Sequence, residues 1–299
     1  MTLSNQLLNS GLLASHSVPP RNHTPRKRFG QHFLTDAGVI DAIVAVIAPQ
    51  PDDLMAEIGP GLGALTRPLL QKSQTLRHLH AVEIDRDMIA RLRKSFPAER
   101  LTIHQGDALA FDFGSLVLAN DSAITLGESH SSSADRQLRV IGNLPYNIST
   151  PLLFHLATFA ERIIDCHFML QKEVVERMVA APGNKEYGRL SDALQNRFDM
   201  ESVLDVPPEA FEPPPKVDSA VVRMIPKPRS ALTARDEKLF GDLVTQAFSQ
   251  RRKTLRNTLK GRVSDAQFAV AGIDPGARAE EIDVARYVGL ANLLSSGGG

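Results

Sequence analysis

Five short apolar stretches, each running into a polar or glycine-bearing segment and separated by helical spacing, constrain this chain most. They are Leu54–Ile58, Leu79–Ile84, Leu101–His104, the run through Val140, Ile141 and Gly142, and residues 163–170. Apolar runs this short, alternating with amphipathic stretches, read as buried strands of an α/β sheet. Two further strands, 200–206 and 219–225, follow one another across a loop too rich in proline for helix or central strand. The expectation is a doubly wound, seven-stranded Rossmann-like sheet with an antiparallel pair at one edge. From Asp236 to about Leu294 the spacing is helical, which predicts a small C-terminal helical domain. The expected division is a disordered tail over 1–24, an α/β domain over 25–228 and a helical domain over 229–299.

In an open α/β sheet, ligands gather at the carboxyl ends of the strands. The first strand ends in Glu57-Ile58-Gly59-Pro60-Gly61-Leu62-Gly63, where glycines permit positive φ angles and close backbone approach. Their alternate spacing fits neither the G-x-G-x-x-G dinucleotide pattern nor a P-loop. Glu83 ends the second strand, 20 residues after Gly63, where an acid meets a ribose diol. Asp107 follows the third strand and suits an adenine amino group. A nucleoside cofactor without pyrophosphate, S-adenosylmethionine, satisfies these demands best. The fourth strand ends in Asn143-Leu144-Pro145-Tyr146. Asn143 brings a side-chain carbonyl, Pro145 a rigid turn and Tyr146 a flat π-face, a set that grips a planar amine.

Charge is balanced, with 34 basic and 34 acidic residues, but it is unevenly distributed. Arg21, Arg26, Lys27 and Arg28 precede the first acid, Asp36, and Gln250–Arg262 holds six basic residues and no acid. Such segregation gives a neutral protein one positive face. Read as helix, Arg252, Arg256 and Lys260 form a single cationic stripe, with Phe248, Leu255 and Leu259 toward the core. Residues 112–137 read as a solvent-exposed insertion. Residues 1–24 are Ser-rich and free of acid, which leaves an organellar transit peptide as an alternative to a plain tail. The single cysteine, Cys166, lies in an apolar strand and cannot form an internal disulfide, in keeping with a reducing, cytoplasmic setting. No apolar run is long enough to span a membrane, and no metal-ligand cluster is evident.

Five motifs occur in a familiar order: Lys27 to Leu34 (KRFGQHFL), Glu57 to Gly63, Asn143 to Thr150 (NLPYNIST), Pro213 to Val221 (PPPKVDSAV) and Gln250 to Arg256 (QRRKTLR). Together they resemble the ribosomal RNA adenine dimethyltransferase family over residues 25–290, most nearly its small-subunit type. That resemblance implies S-adenosylmethionine contacts at His32, Leu34, Gly59, Glu83, Asp107 and Asn143. It implies catalytic roles for Asn143, Leu144, Pro145 and Tyr146, and RNA contacts at Arg251, Arg252, Lys253, Arg256 and Lys260. Position 32 is often Asn in the family, and His32 changes the hydrogen bond available there. The implied substrate is two adjacent adenosines of the 3′-terminal hairpin of small-subunit rRNA, met in an assembling subunit by a chain that acts as a monomer. Alternatives are a large-subunit rRNA adenine methyltransferase and a non-catalytic RNA-binding assembly factor. Leu144, the basic 251–253 segment and Pro214-Pro215-Lys216 favour the small-subunit type.

Overall fold

The computed structural model describes residues 32–50, 52–72, 76, 78–117 and 137–296. The expected tail over 1–24, most of the Lys27–Leu34 motif and residues 118–136 lie outside the described residues. Seven strands form one sheet: β2 (Leu54–Ile58), β3 (Leu79–Glu83), β4 (Leu101–Gln105), β5 (Leu138–Asn143), β6 (Ile163–Gln171), β7 (Phe198–Val206) and β9 (Ser219–Pro226). Their order is β4-β3-β2-β5-β6-β9-β7. The first five neighbours run parallel, and β9 is antiparallel to both β6 and β7. All seven expected strands are therefore present, and the last two make the antiparallel edge.

The sheet is buried on both faces because its central strands carry apolar residues at successive positions. Every residue of β2 is buried. One face packs under α1 (Ala37–Ile47), α2 (Thr66–Lys72) and α3 (Arg86–Ser95), with Met55, Ile141 and Met169 in the shared core. The other face packs under α4 (Ser149–Ala157), α5 (Lys172–Val179) and α6 (Arg189–Gln195), with Ala56, Val140 and Phe168. Asp36 caps α1, its carboxylate accepting from Val39 N at 2.8 Å. Buried Arg139, at the far end of β5, grips Asp165 through Nε and Nη2, both at 2.8 Å, and Asp53 at 2.7 Å. It also donates to the Ile47 carbonyl at the end of α1, at 2.6 Å. Pairing of this kind is what lets a guanidinium sit inside.

Within the α/β part, two features depart from expectation. The Pro-rich loop contains a short strand, β8 (Phe211–Glu212), which pairs with β1 (Phe33–Leu34) in a small second sheet. The start of the expected insertion is also not solvent-exposed, since Phe113, Leu116 and Val117 are buried in the main core.

After β9 come four helices, α7 (Glu237–Ala247), α8 (Leu255–Thr258), α9 (Asp265–Val270) and α10 (Val284–Ser296), with a core of their own that includes Phe240, Leu255, Leu259 and Tyr287. The expected cationic helix over 252–260 is not formed. Residues 251–253 lie in turns, α8 spans only four residues, and Thr254 bridges Arg278.

Candidate active site

The chain leaves β2 to build β3 and β4 on one side, then returns to build β5 on the other. The crevice between β2 and β5 is thus the point where strand order reverses, and binding sites form there. The ladder extends past the strand ends. Gly59 N donates to Val82 O at 2.9 Å, Gly106 N to Glu83 O at 3.0 Å, and Leu144 N to Met169 O at 3.1 Å. Three loops therefore leave the sheet together. They enclose a cavity of about 360 Å³ whose wall includes His32, Leu34, Gly59, Glu83, Asp107 and Asn143. Leu144, Pro145 and Tyr146 line the same cavity.

The glycine turn is shaped by its backbone. Gly59, Gly61 and Gly63 have φ of 64°, 56° and 83°, the left-handed region that other residues avoid. Glu83 holds this turn in place: its Oε2 accepts from Gly61 N at 3.2 Å, and its Oε1 from Ile84 N and Asp85 N at 2.9 and 2.8 Å. Burial pushes the Glu83 carboxyl above its ordinary value, against the pull of these three amides. Asp107 is exposed at the rim, with Oδ1 accepting from Leu109 N at 2.9 Å.

On the opposite wall, Gly142 lets β5 approach β2 closely, since a Cβ there would lie 2.6 Å from the Ile58 carbonyl. The Asn143 amide nitrogen donates to the His32 carbonyl at 3.4 Å, which leaves the amide oxygen as the available acceptor. His32 Nδ1 contacts the Pro213 carbonyl at 2.8 Å, so residue 32 bridges Asn143 to the Pro-rich loop. The rings of His32 and Tyr146 are near parallel, 24° apart in plane and 6.0 Å between centroids. The Tyr146 hydroxyl lies 2.9 Å from Ser219 Oγ, and burial raises its pKa. This arrangement brings a flat aromatic ring, an oxygen acceptor and an acid-lined cavity together in one opening.

A family model described as ribosomal RNA adenine dimethylase matches residues 22–296. The chain belongs to the ribosomal RNA adenine dimethylase family. Among its relatives, the ribosomal RNA small subunit methyltransferase A of Chromobacterium violaceum is 59% identical over 276 residues, 92% of this chain and 98% of that protein. The protein of the same name from Thiobacillus denitrificans is 60% identical over 274 residues, 92% and 99% of the two chains. The crystal structure of a dimethyladenosine transferase from Plasmodium falciparum superposes with a TM-score of 0.69 at 25% identity, covering 89% of this chain and 98% of that one. The 23S rRNA methyltransferase ErmE shares the fold, with a TM-score of 0.64 at 22% identity over 88% and 99% of the two chains. The adenine dimethylase reading of the motifs and the α/β methyltransferase fold both stand.

The basic residues lie on the helical part. Arg251, Arg252, Lys253, Arg256 and Lys260 are all exposed. Arg251 donates to the Lys185 carbonyl, and Arg256 pairs with Asp265 at 3.2 Å. The side chains of Arg252, Lys253 and Lys260 make no hydrogen bond or ion pair among the described residues. Residues given no role from the sequence include Glu57, Ile84 and Asp85 in the cavity wall, and Ser219 behind Tyr146. Glu57 opens the Glu57–Gly63 motif, and Ile84 directly follows Glu83. Ser219 lies within the Pro213–Val221 motif, 73 positions from Tyr146, and nothing in that motif marks it as Tyr146's partner.

Proposed function

We propose that this chain uses S-adenosylmethionine to dimethylate N6 of two adjacent adenosines in the 3′-terminal hairpin of small-subunit rRNA during subunit assembly. The observation that carries the reading is that Asn143 stands in the wall of the acid-lined cavity, beside Tyr146. Family membership and relatives named for small-subunit rRNA methylation support it. The cavity suits the cofactor: it carries acids for a ribose and an amino group, side-chain-free turns at Gly59 and Gly61, and no Lys or Arg among its described lining residues.

When bound, S-adenosylmethionine supplies an electrophilic methyl group on a sulfonium. The chain's own work is to position and prepare the acceptor. Adenine N6 is a weak nucleophile because its lone pair is delocalised into the ring. The Asn143 side-chain oxygen and the Leu144 carbonyl accept the two N6–H bonds, which favours a pyramidal nitrogen with its lone pair free. Pro145 stiffens this turn, and Tyr146 stacks on the base. The adenosine reaches them only by leaving its own stack. His32, Leu34, Gly59, Glu83 and Asp107 hold the cofactor. Arg251, Arg252, Lys253, Arg256 and Lys260 hold RNA phosphates as separate points on a surface rather than as a helical stripe. In this reading residues 25–228 carry the chemistry and 229–299 the RNA contact.

The test uses small subunits that lack the modification. Incubation with protein and S-adenosylmethionine, followed by mass spectrometry of the RNA, is expected to yield N6,N6-dimethyladenosine in the 3′-terminal hairpin. Label only on large-subunit RNA overturns the substrate. Asn143→Ala is expected to lower transfer by at least about 100-fold while sparing RNA binding, and undiminished transfer overturns its role.

A further inference from the structure

The cavity is electrostatically one-sided. Glu57, Glu83, Asp85 and Asp107 line it, with no Lys or Arg among its described lining residues. Backbone amides meet each of these carboxylates: Gly61, Ile84 and Asp85 serve Glu83, Asp87 serves Asp85, Leu109 serves Asp107, and Thr66 serves Glu57. Glu57 is 2% exposed, and Thr66 donates to it through its hydroxyl, at 2.5 Å, and through its backbone amide. A carboxylate this deeply buried, next to a second acid, is poorly stabilised unless a cation arrives. Burial, then repulsion from Glu83, pushes the Glu57 carboxyl up to about 7 against the opposing bonds from Thr66.

Resting on the methyl-donor reading above, we propose that Glu57 reads the charge of the ligand. It keeps a proton while the cavity holds no cation and releases it to solvent when the sulfonium-bearing donor binds. The chain thereby prefers the cationic donor to the neutral thioether that remains after transfer. No bond to the ligand forms; the carboxyl O–H bond breaks and its proton goes to water. The titratable groups around it are Glu83 and Asp85 after β3, Asp107 after β4, Tyr146 after β5 and His32 before β1. His32→Asn is the control for that last group.

The test is isothermal titration calorimetry with S-adenosylmethionine and, separately, S-adenosylhomocysteine, between about pH 6 and 8.5 in buffers of different ionisation enthalpy. Wild-type protein is expected to release up to about one proton on binding the donor below pH 7. Its donor affinity is expected to rise by as much as about tenfold per pH unit there and then level off, while product affinity changes less than about twofold. Glu57→Gln, with folding checked by thermal denaturation, flattens the donor profile, and Thr66→Val moves its rise to higher pH. The wild-type proton count needs no variant, so it decides even if a substitution unfolds the protein. Parallel profiles for donor and product, or a Gln variant with the wild-type profile, overturn the assignment of Glu57 alone. Failure of wild-type protein to bind either ligand overturns the methyl-donor reading along with it.

Discussion

Tyr146 shows how much one side chain here depends on a partner far away in sequence. Its ring lines the cavity, and its hydroxyl is held 2.9 Å from Ser219 Oγ on the antiparallel edge of the sheet. Ring and hydroxyl are separable. Tyr146→Phe keeps the stacking face and loses the tether, so kcat/KM on small subunits is expected to fall by less than about tenfold. Tyr146→Ala loses base stacking worth about 1–3 kcal/mol, a further fall of about 5- to 150-fold. Equal losses in both variants would assign the work to the hydroxyl. The Asn-Leu-Pro-Tyr grip was legible in sequence because its parts are contiguous. The Ser219 tether was not, because only the fold brings it there.

Among the elements, the strands were the most legible, since burial on both faces writes an unbroken apolar run. The cationic stripe over 252–260 was misread because charges spaced four apart look alike on a helix and on a turn. Here Gly261, at φ 79°, and the bridge from Thr254 to Arg278 bound a helix of a single turn. The buried start of the 112–137 segment was hidden by the polar run after it, although Phe113, Leu116 and Val117 already carry helical spacing. β5 packs closely against β2 at Gly142. Gly142→Ala places a methyl 2.6 Å from the Ile58 carbonyl, so the strands must part. The expected cost is about 1–3 kcal/mol, read as a lower thermal midpoint together with weaker cofactor binding. An unchanged midpoint would show that the strands separate freely.

At the scale of the whole molecule, buried ionisable groups set opposing pH dependences. Burial pushes His80 and His167 down to about 4. Their contribution to stability is complete above the unfolded value of 6.5 and is lost as pH falls through 4. Burial pushes Glu57 and Asp192 up to about 7, so their contribution is complete in acid and is lost as pH rises through 7. Urea unfolding is therefore expected to give a nearly level stability across about pH 4.5–6.5. His80→Gln should tilt it toward acid and Asp192→Asn toward neutrality; tilts in the same direction would refute the balance. The helical part adds a second expectation for the whole chain. Replacing Arg252, Lys253 or Lys260 with Ala should weaken small-subunit RNA binding and lower the salt slope by about one each. A slope that stays fixed in all three would move the RNA surface elsewhere.

The pairing of β1 with β8 ties residues 33–34 to residues 211–212. Thr35 N also reaches Ala210 O at 2.8 Å, and His32 reaches Pro213. The wall of the cavity nearest the N-terminus is thus fastened by a segment made much later in synthesis. A nascent chain that has emerged only through β6 holds the glycine turn, Glu83 and Asn143, yet still lacks the clasp that seats His32 and Leu34. If the cavity holds the proposed methyl donor, affinity for it is expected to mature late in translation, once most of the chain has left a ribosome.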